Sequence, residues 1–300
     1  MPVPTLTEGQ YDLDGYTFGS TADEVVLLES GVETGQLGVR AQDVEAPLGD
    51  GLMFGRDFFT PPVWTFTFGA RHASSVDEVV GRLASAWRAD HARTTPGARS
   101  VLHYKRAGVT RVVYGRPRRF AVETPQVYQT DFRIITADFQ LAESLTYEAA
   151  ESTLLLSLVR ASVATGLEFP VVFPVTFGSQ ASTRAGVVTV AGSVRSPFTV
   201  RVDGPATGSA SGFRVESLHP TDSWVLDLPV TLNHGQWVEV DTATGVVVLN
   251  GTPTQVALGR GTNLSARLAP GAQELVFTAT DPSLTVSALV SWRSASAAVI

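Results

Sequence analysis

The feature that most constrains the fold is a texture that runs from Pro170 to the last residues. Short β-branched and aromatic runs follow one another, separated by turn signals. Val171-Val172-Phe173, Gly186-Val187-Val188-Thr189-Val190, Phe198-Thr199-Val200-Arg201-Val202, Phe213-Arg214-Val215 and Trp224-Val225-Leu226-Asp227-Leu228 are strand-sized. So are Trp237-Val238-Glu239-Val240, Val246-Val247-Val248-Leu249, Leu275-Val276-Phe277-Thr278-Ala279 and Ser287-Ala288-Leu289-Val290-Ser291-Trp292. Asp203-Gly204-Pro205, Asn250-Gly251 and Pro270-Gly271 mark turns between them. Many short strands at close spacing predict an antiparallel β-sandwich.

The N-terminal part reads as mainly β with one helix. Trp64-Thr65-Phe66-Thr67-Phe68 alternates large apolar with small polar side chains, the period of a half-buried strand. Val101-Leu102-His103-Tyr104 and Arg111-Val112-Val113-Tyr114 flank Lys105-Arg106-Ala107-Gly108, which predicts a hairpin. A long strand is expected over residues 130–139. Near residues 75–90, Val76, Val79, Val80, Leu83, Ala86 and Trp87 recur at spacings of three and four. They make one apolar stripe of a helix. Ser74 or Ser75 is its N-cap, Asp77 and Glu78 suit the positive end of its dipole, and Pro96-Gly97 follows it. Residues 148–163 read as a connecting strand or a short helix. The linker is placed at Ala164-Thr165-Gly166, giving domains of residues 1–165 and 166–300.

Composition removes several function classes. There is no cysteine, so disulfides, thiolate metal sites and cysteine nucleophiles are out. The five histidines, His72, His91, His103, His219 and His234, fall in no metal-binding spacing, and no cofactor is expected. No phosphate-binding loop, dinucleotide fingerprint or nucleophile elbow appears. Asp222 with Asp227, or Glu239 with Asp241, can be paired on paper as hydrolase carboxylates, but carboxylates on a solvated sandwich face look the same. The chain reads as a non-enzyme. No secretory signal or membrane-length apolar stretch is seen, so synthesis in the cytoplasm and no membrane partner are expected.

The net charge of −7 argues against whole-molecule attraction to DNA. Charge is uneven, however. No Asp or Glu lies between His91 and Val122, whereas Arg93, Arg99, Lys105, Arg106, Arg111, Arg116, Arg118 and Arg119 do. This stretch has no regular aromatic interleaving to stack on single-stranded nucleic acid. Contact with an acidic protein neighbour is the expected use.

Two segments carry a resemblance. Gly51-Leu52-Met53-Phe54-Gly55-Arg56-Asp57-Phe58-Phe59-Thr60-Pro61-Pro62-Val63-Trp64-Thr65-Phe66, running into the alternating strand, resembles the N-terminal region of distal tail and minor tail proteins of phages infecting actinobacteria. Gly235-Gln236-Trp237-Val238-Glu239-Val240-Asp241-Thr242, continuing through Val248-Leu249-Asn250-Gly251, resembles a hairpin in the galectin-like C-terminal domain of that family. There Asp241-Thr242 opens a turn, Thr244-Gly245 completes it, and Asn250-Gly251 makes the next. Leu268-Ala269-Pro270-Gly271, with Gln273 where Asn is commoner, and the terminal Val290-Ser291-Trp292-Arg293 fit the same pattern.

The resemblance implies an N-terminal split-barrel-like domain that forms a hexameric ring and a C-terminal galectin-like antiparallel β-sandwich. It implies a structural virion protein at the distal end of the tail. Such a ring touches the tail tube protein and the tail-tip or baseplate proteins, while DNA and the tape-measure protein pass through its lumen. A carbohydrate-binding module for host cell-wall glycans is the alternative. Trp224, Trp237 and Trp292 are its candidate platforms, and each also lies in an expected strand. A wall hydrolase at the tail tip is a third class, without a motif to support it.

Overall fold

A computed structural model describes residues 3–36, 38–71, 75–123, 131–158, 185–281, 283 and 285–298. The protein is mainly β and divides into two compact units, Met1–Ala150 with Ser296–Ile300, and Glu151–Ala295.

The first unit opens with β1 (Tyr11–Leu13), β2 (Tyr16–Phe18) and β3 (Val25–Glu33). Four short strands follow: β4 (Gly38–Arg40), β5 (Val44–Glu45), β6 (Leu52–Met53) and β7 (Phe58–Thr60). Then come β8 (Val63–Arg71), α1 (Val76–Arg88), α2 (Asp90–Thr94), β9 (Ser100–Arg106), β10 (Val109–Val122), β11 (Phe132–Leu141) and β12 (Leu145–Glu148). The main sheet runs β2-β1-β9-β10-β11-β8-β3, with β12 on β10. Its two ends meet: Gly19, just past β2, forms a parallel bridge to Val26 of β3, and its amide donates to the Val25 carbonyl at 2.8 Å. The sheet is thus a nearly closed barrel, and closure removes most of the unpaired strand edge.

The alternating strand and the helix stripe supply the barrel's interior. Trp64, Phe66 and Phe68 of β8 all point inward and are fully buried. Helix α1 buries Val76, Val79, Leu83 and Trp87, its N-cap is Ser75, and the Ser75 hydroxyl accepts from the Glu78 amide at 3.4 Å. The Trp87 ring meets Phe66 and Phe68 edge-on at 5.6 and 5.7 Å, and its indole donates to the Asp138 carbonyl at 3.2 Å. The expected hairpin is β9–β10. Ala107 and Gly108 both take left-handed backbone (φ 52° and 76°), the conformation of the tight turn that matches strand twist.

The second unit contains β13 (Ser152–Ser157), β14 (Ala185–Val190), β15 (Phe198–Asp203), β16 (Ser209–Ser217) and β17 (Trp224–Asn233). It continues with β18 (Trp237–Asp241), β19 (Val246–Leu249), β20 (Thr252–Pro253), β21 (Gly271–Thr280) and β22 (Ser287–Trp292). One sheet runs β13-β22-β15-β18-β19-β20 and the other β14-β21-β16-β17. These strands pair antiparallel, and both sheets contribute to one core rich in Val, Leu and Phe. This is a β-sandwich. The turn after β18 is held as its residues suggest. Asp241 accepts from the Ala243 amide and the Thr244 hydroxyl, both at 2.8 Å, and Asn250-Gly251 turns β19 into β20.

The chain ends in β23 (Ala295–Ala297), which pairs with β12 of the first unit's sheet. Residues 152–157, assigned to the N-terminal domain on the sequence, form β13 and pair with β22 in the second unit, where Leu156 joins the core. The cause is not local: Leu154, Leu155 and Leu156 do not alternate in sequence, and pairing with β22 decides that Leu156 turns inward while Leu155 stays exposed. The expected linker at Ala164-Thr165-Gly166, the run Val171-Val172-Phe173, His72 and Ser74 lie outside the described residues.

Candidate interaction surfaces

The cationic stretch is dispersed by the fold along α2, β9 and β10, and acids from distant sequence come to meet part of it. Arg99 lies 3.7 Å from Glu143. Arg111 is the direct cross-strand neighbour of Glu148. Glu8 accepts from the Gly108 amide at 3.1 Å and from that of Ala107; these two amides, with Lys105 and Arg106 nearby, hold its carboxyl below the usual range. Lys105 donates to the Leu6 carbonyl at 3.1 Å, and Arg116 donates to the carbonyls of Ala98 and Thr95 at 2.8 and 3.0 Å.

Arg93, Arg106, Arg118 and Arg119 are exposed and have no hydrogen-bond or ion-pair partner among the described residues. A bulge explains two of them. Pro117 pairs with Phe139, yet Phe120 already pairs with Ala137, so β10 carries one residue more than β11 across this interval. Proline has no amide to give the ladder and is tolerated at such a break. The lost alternation lets adjacent Arg118 and Arg119 both reach solvent. Beside them is a surface cavity of about 290 Å³, rimmed by Arg99, Arg116 and Arg118 and lined by Leu141.

The three tryptophans do not form one platform. Trp224 and Trp292 belong to the sandwich core, 6% and 7% exposed. Trp224 packs on Phe198 with centroids 4.7 Å apart. Trp237 is half-buried, and the Arg201 guanidinium covers a face of its ring at 4.3 Å while donating to Asp203 at 2.9 Å. Trp224 and Trp292 are thus too buried to offer an open ring, and one face of Trp237 is taken by Arg201. The carboxylates offered as hydrolase pairs are engaged elsewhere: Asp222 with Arg195 at 2.6 Å, and Asp241 in its turn. Among the described residues, no group of three or more His, Cys, Asp or Glu is arranged to hold a metal ion.

One surface is not foreseen from the sequence as a structural element, although residues 51–60 within it carry the family resemblance. Between β3 and β8, two nested antiparallel pairs, β4–β7 and β5–β6, build a hairpin arm apart from the main sheet. Asp43 accepts from the Gly55 amide at 3.0 Å and ties the two pairs together. Gly55 is required, because a Cβ there would meet the Gln42 carbonyl oxygen at 2.0 Å. Arg40 and Arg56 stack on Phe58 at 5.2 and 5.1 Å. The rest of the arm faces solvent, including Leu48, fully exposed, and Phe54, 86% exposed. Its sequence signal is a cluster of apolar residues with no period, broken by Pro47, Gly49, Gly51 and Gly55.

No family model matches the chain, and no curated protein matches its sequence. Its fold does have counterparts among solved structures. A chain in the structure of the phage P2 baseplate in its activated conformation with Ca is 12% identical, with a TM-score of 0.49 over 94% of this chain and 97% of that one. The crystal structure of the SPP1 Dit (gp 19.1) protein, described as a paradigm of hub adsorption apparatus in Gram-positive-infecting phages, aligns with a TM-score of 0.57 at 13% identity. That alignment covers 95% of this chain and 98% of the SPP1 protein, so across nearly its whole length this chain shares its fold with a phage hub protein.

Proposed function

We propose that this chain is a structural subunit of the distal end of a long non-contractile phage tail. Copies form a ring, six in number, that joins the tail tube protein to the tail-tip or baseplate proteins and leaves a channel for DNA and the tape-measure protein. The observation that carries this reading is the extent of the fold likeness: barrel unit and sandwich unit, in one order, match a single hub protein over 95% of the chain. The barrel unit forms the ring and the sandwich, galectin-like in type, stands outside it. The host is an actinobacterium, as the motif resemblance implies.

Charge supports the placement of the surfaces. A tube that must release DNA gains nothing from phosphate binding, which strengthens with each Lys or Arg contact at a salt slope of about −0.9 on duplex DNA. The net charge of −7 suits a channel that does not grip, and the free cations of β10 then serve protein contacts. Electron microscopy of the full chain, combined with native mass measurement and with density at the tail end of a virion that carries it, tests the reading. Closed rings of six are expected. Monomeric density in the virion overturns it.

A further inference from the structure

The arm carries an unusual combination. Residues 41–55 contain Asp43, Glu45 and Asp50 and no Lys or Arg. The same stretch exposes Val44, Leu48, Met53 and Phe54 at 61% or more of their surface. Exposed apolar side chains gathered on one short arm, with Val44 paired opposite Met53, suit a contact site. Arg40 and Arg56 bound this stretch and stack on Phe58, so the tip beyond them is acidic and suits a cationic partner that accepts apolar side chains. The chain's own barrel offers a cationic surface with a cavity at the β10 bulge. The cavity of about 290 Å³ has Leu141 in its lining and Arg99, Arg116 and Arg118 around it, with Arg119 next to it on the bulge.

We propose that the arm of one copy docks on the β10 cavity of the next copy, with Leu48 and Phe54 at the cavity and Glu45 and Asp50 facing Arg118 and Arg119. The proposal rests on the ring reading and names the residues that make the ring. Every copy carries both halves of the pair, and the two halves are different surfaces. Such a head-to-tail contact repeats from copy to copy and closes into a ring when the rotation allows. Complementary charge steers the encounter and sets the register, whereas the buried apolar residues supply most of the affinity. All the residues named for substitution are exposed, so their replacement leaves each unit folded.

Sedimentation velocity of the full chain over a range of concentrations is the test, with thermal melts to confirm folding. Leu48→Ser with Phe54→Ser, or Arg118→Glu with Arg119→Glu, is expected to raise the concentration needed for association by about tenfold or more. Glu45→Arg with Asp50→Arg does the same alone. Combined with the two Arg→Glu changes it restores association, which a merely structural role would not do. Rings that persist unchanged in the Leu48/Phe54 variant, or a charge swap that fails to restore them, overturn the arm contact and leave the ring standing. Retained rings with lost binding to a tail-tip protein assign the arm to that other partner, and likewise overturn the proposal. A wild-type chain that stays monomeric at every concentration overturns the arm contact, and monomeric density in the virion as well overturns the ring reading with it.

Discussion

The first unit fills its interior with rings, and the second fills its own with branched aliphatics. Phe18, Phe66, Phe68, Trp87, Tyr11 and Tyr104 interlock in the barrel, several edge-to-face, an arrangement worth about 0.5–1.5 kcal/mol per pair beyond area burial. The sandwich relies on Val and Leu from facing sheets and on buried polar latches such as Thr242, whose hydroxyl donates to the Phe198 carbonyl at 2.7 Å and accepts from its amide at 2.9 Å. The surfaces differ in the opposite sense. The unit with the aromatic interior also displays the apolar arm. Exposed apolar side chains beside a well-packed core in one unit are what the proposed arm contact would use.

The comparison can be broken most severely at Trp87. Trp87→Ala removes a fully buried ring from the contact of α1 with β8 and should cost about 3–5 kcal/mol. Calorimetry should show the barrel transition falling while the sandwich transition stays in place. In the second unit the matching change is Thr242→Val, which keeps the volume but leaves the Phe198 amide without its partner. It should cost about 1–3 kcal/mol in urea melts.

A smaller effect sharpens the role of polar latches. Burial pushes the Asp281 carboxyl up, but the Ser283 hydroxyl and the amides of Val286, Ser283 and Thr285 outweigh it and bring the group to about 2. A carboxylate held below its unfolded value of 3.8 contributes stability that is present above that pH and is lost as pH falls toward 2. Asp281→Asn should therefore be less stable than wild type at neutral pH, with the difference shrinking between about pH 4 and 2. The smallest effect belongs to the arm. Leu48→Ser with Phe54→Ser should change the melting of the isolated chain by less than about 0.5 kcal/mol, since neither side chain is buried.

The elements that were legible in the sequence are those set by neighbours along the chain. The Ser75 cap and the Val76-to-Trp87 stripe give α1, the Trp64-Phe66-Phe68 alternation gives β8, and Asp241, Asn250 and Gly251 give their turns. What escaped depends on residues far apart. Nothing local announces that Gly19 will meet Val26 across the barrel seam. Nor does the cationic run reveal that Glu8, Glu143 and Glu148 will be brought to it, leaving only part of it free. Trp224 and Trp237 look alike in sequence, both opening a strand. One enters the core and the other lies under Arg201, because pleat parity is fixed by partners in other strands.

The return of the chain through β23 has a mechanical meaning. Ser152 at the start of the second unit is the strand partner of Trp292 near its finish, so the unit's way in and way out lie side by side. The sandwich is an insert held by two adjacent tethers. A truncation near residue 165 would strip β23 from β12 and damage the host barrel. Removing the insert cleanly means rejoining the chain from Ala150 to Ser296, a short splice between two ends that the fold already holds close.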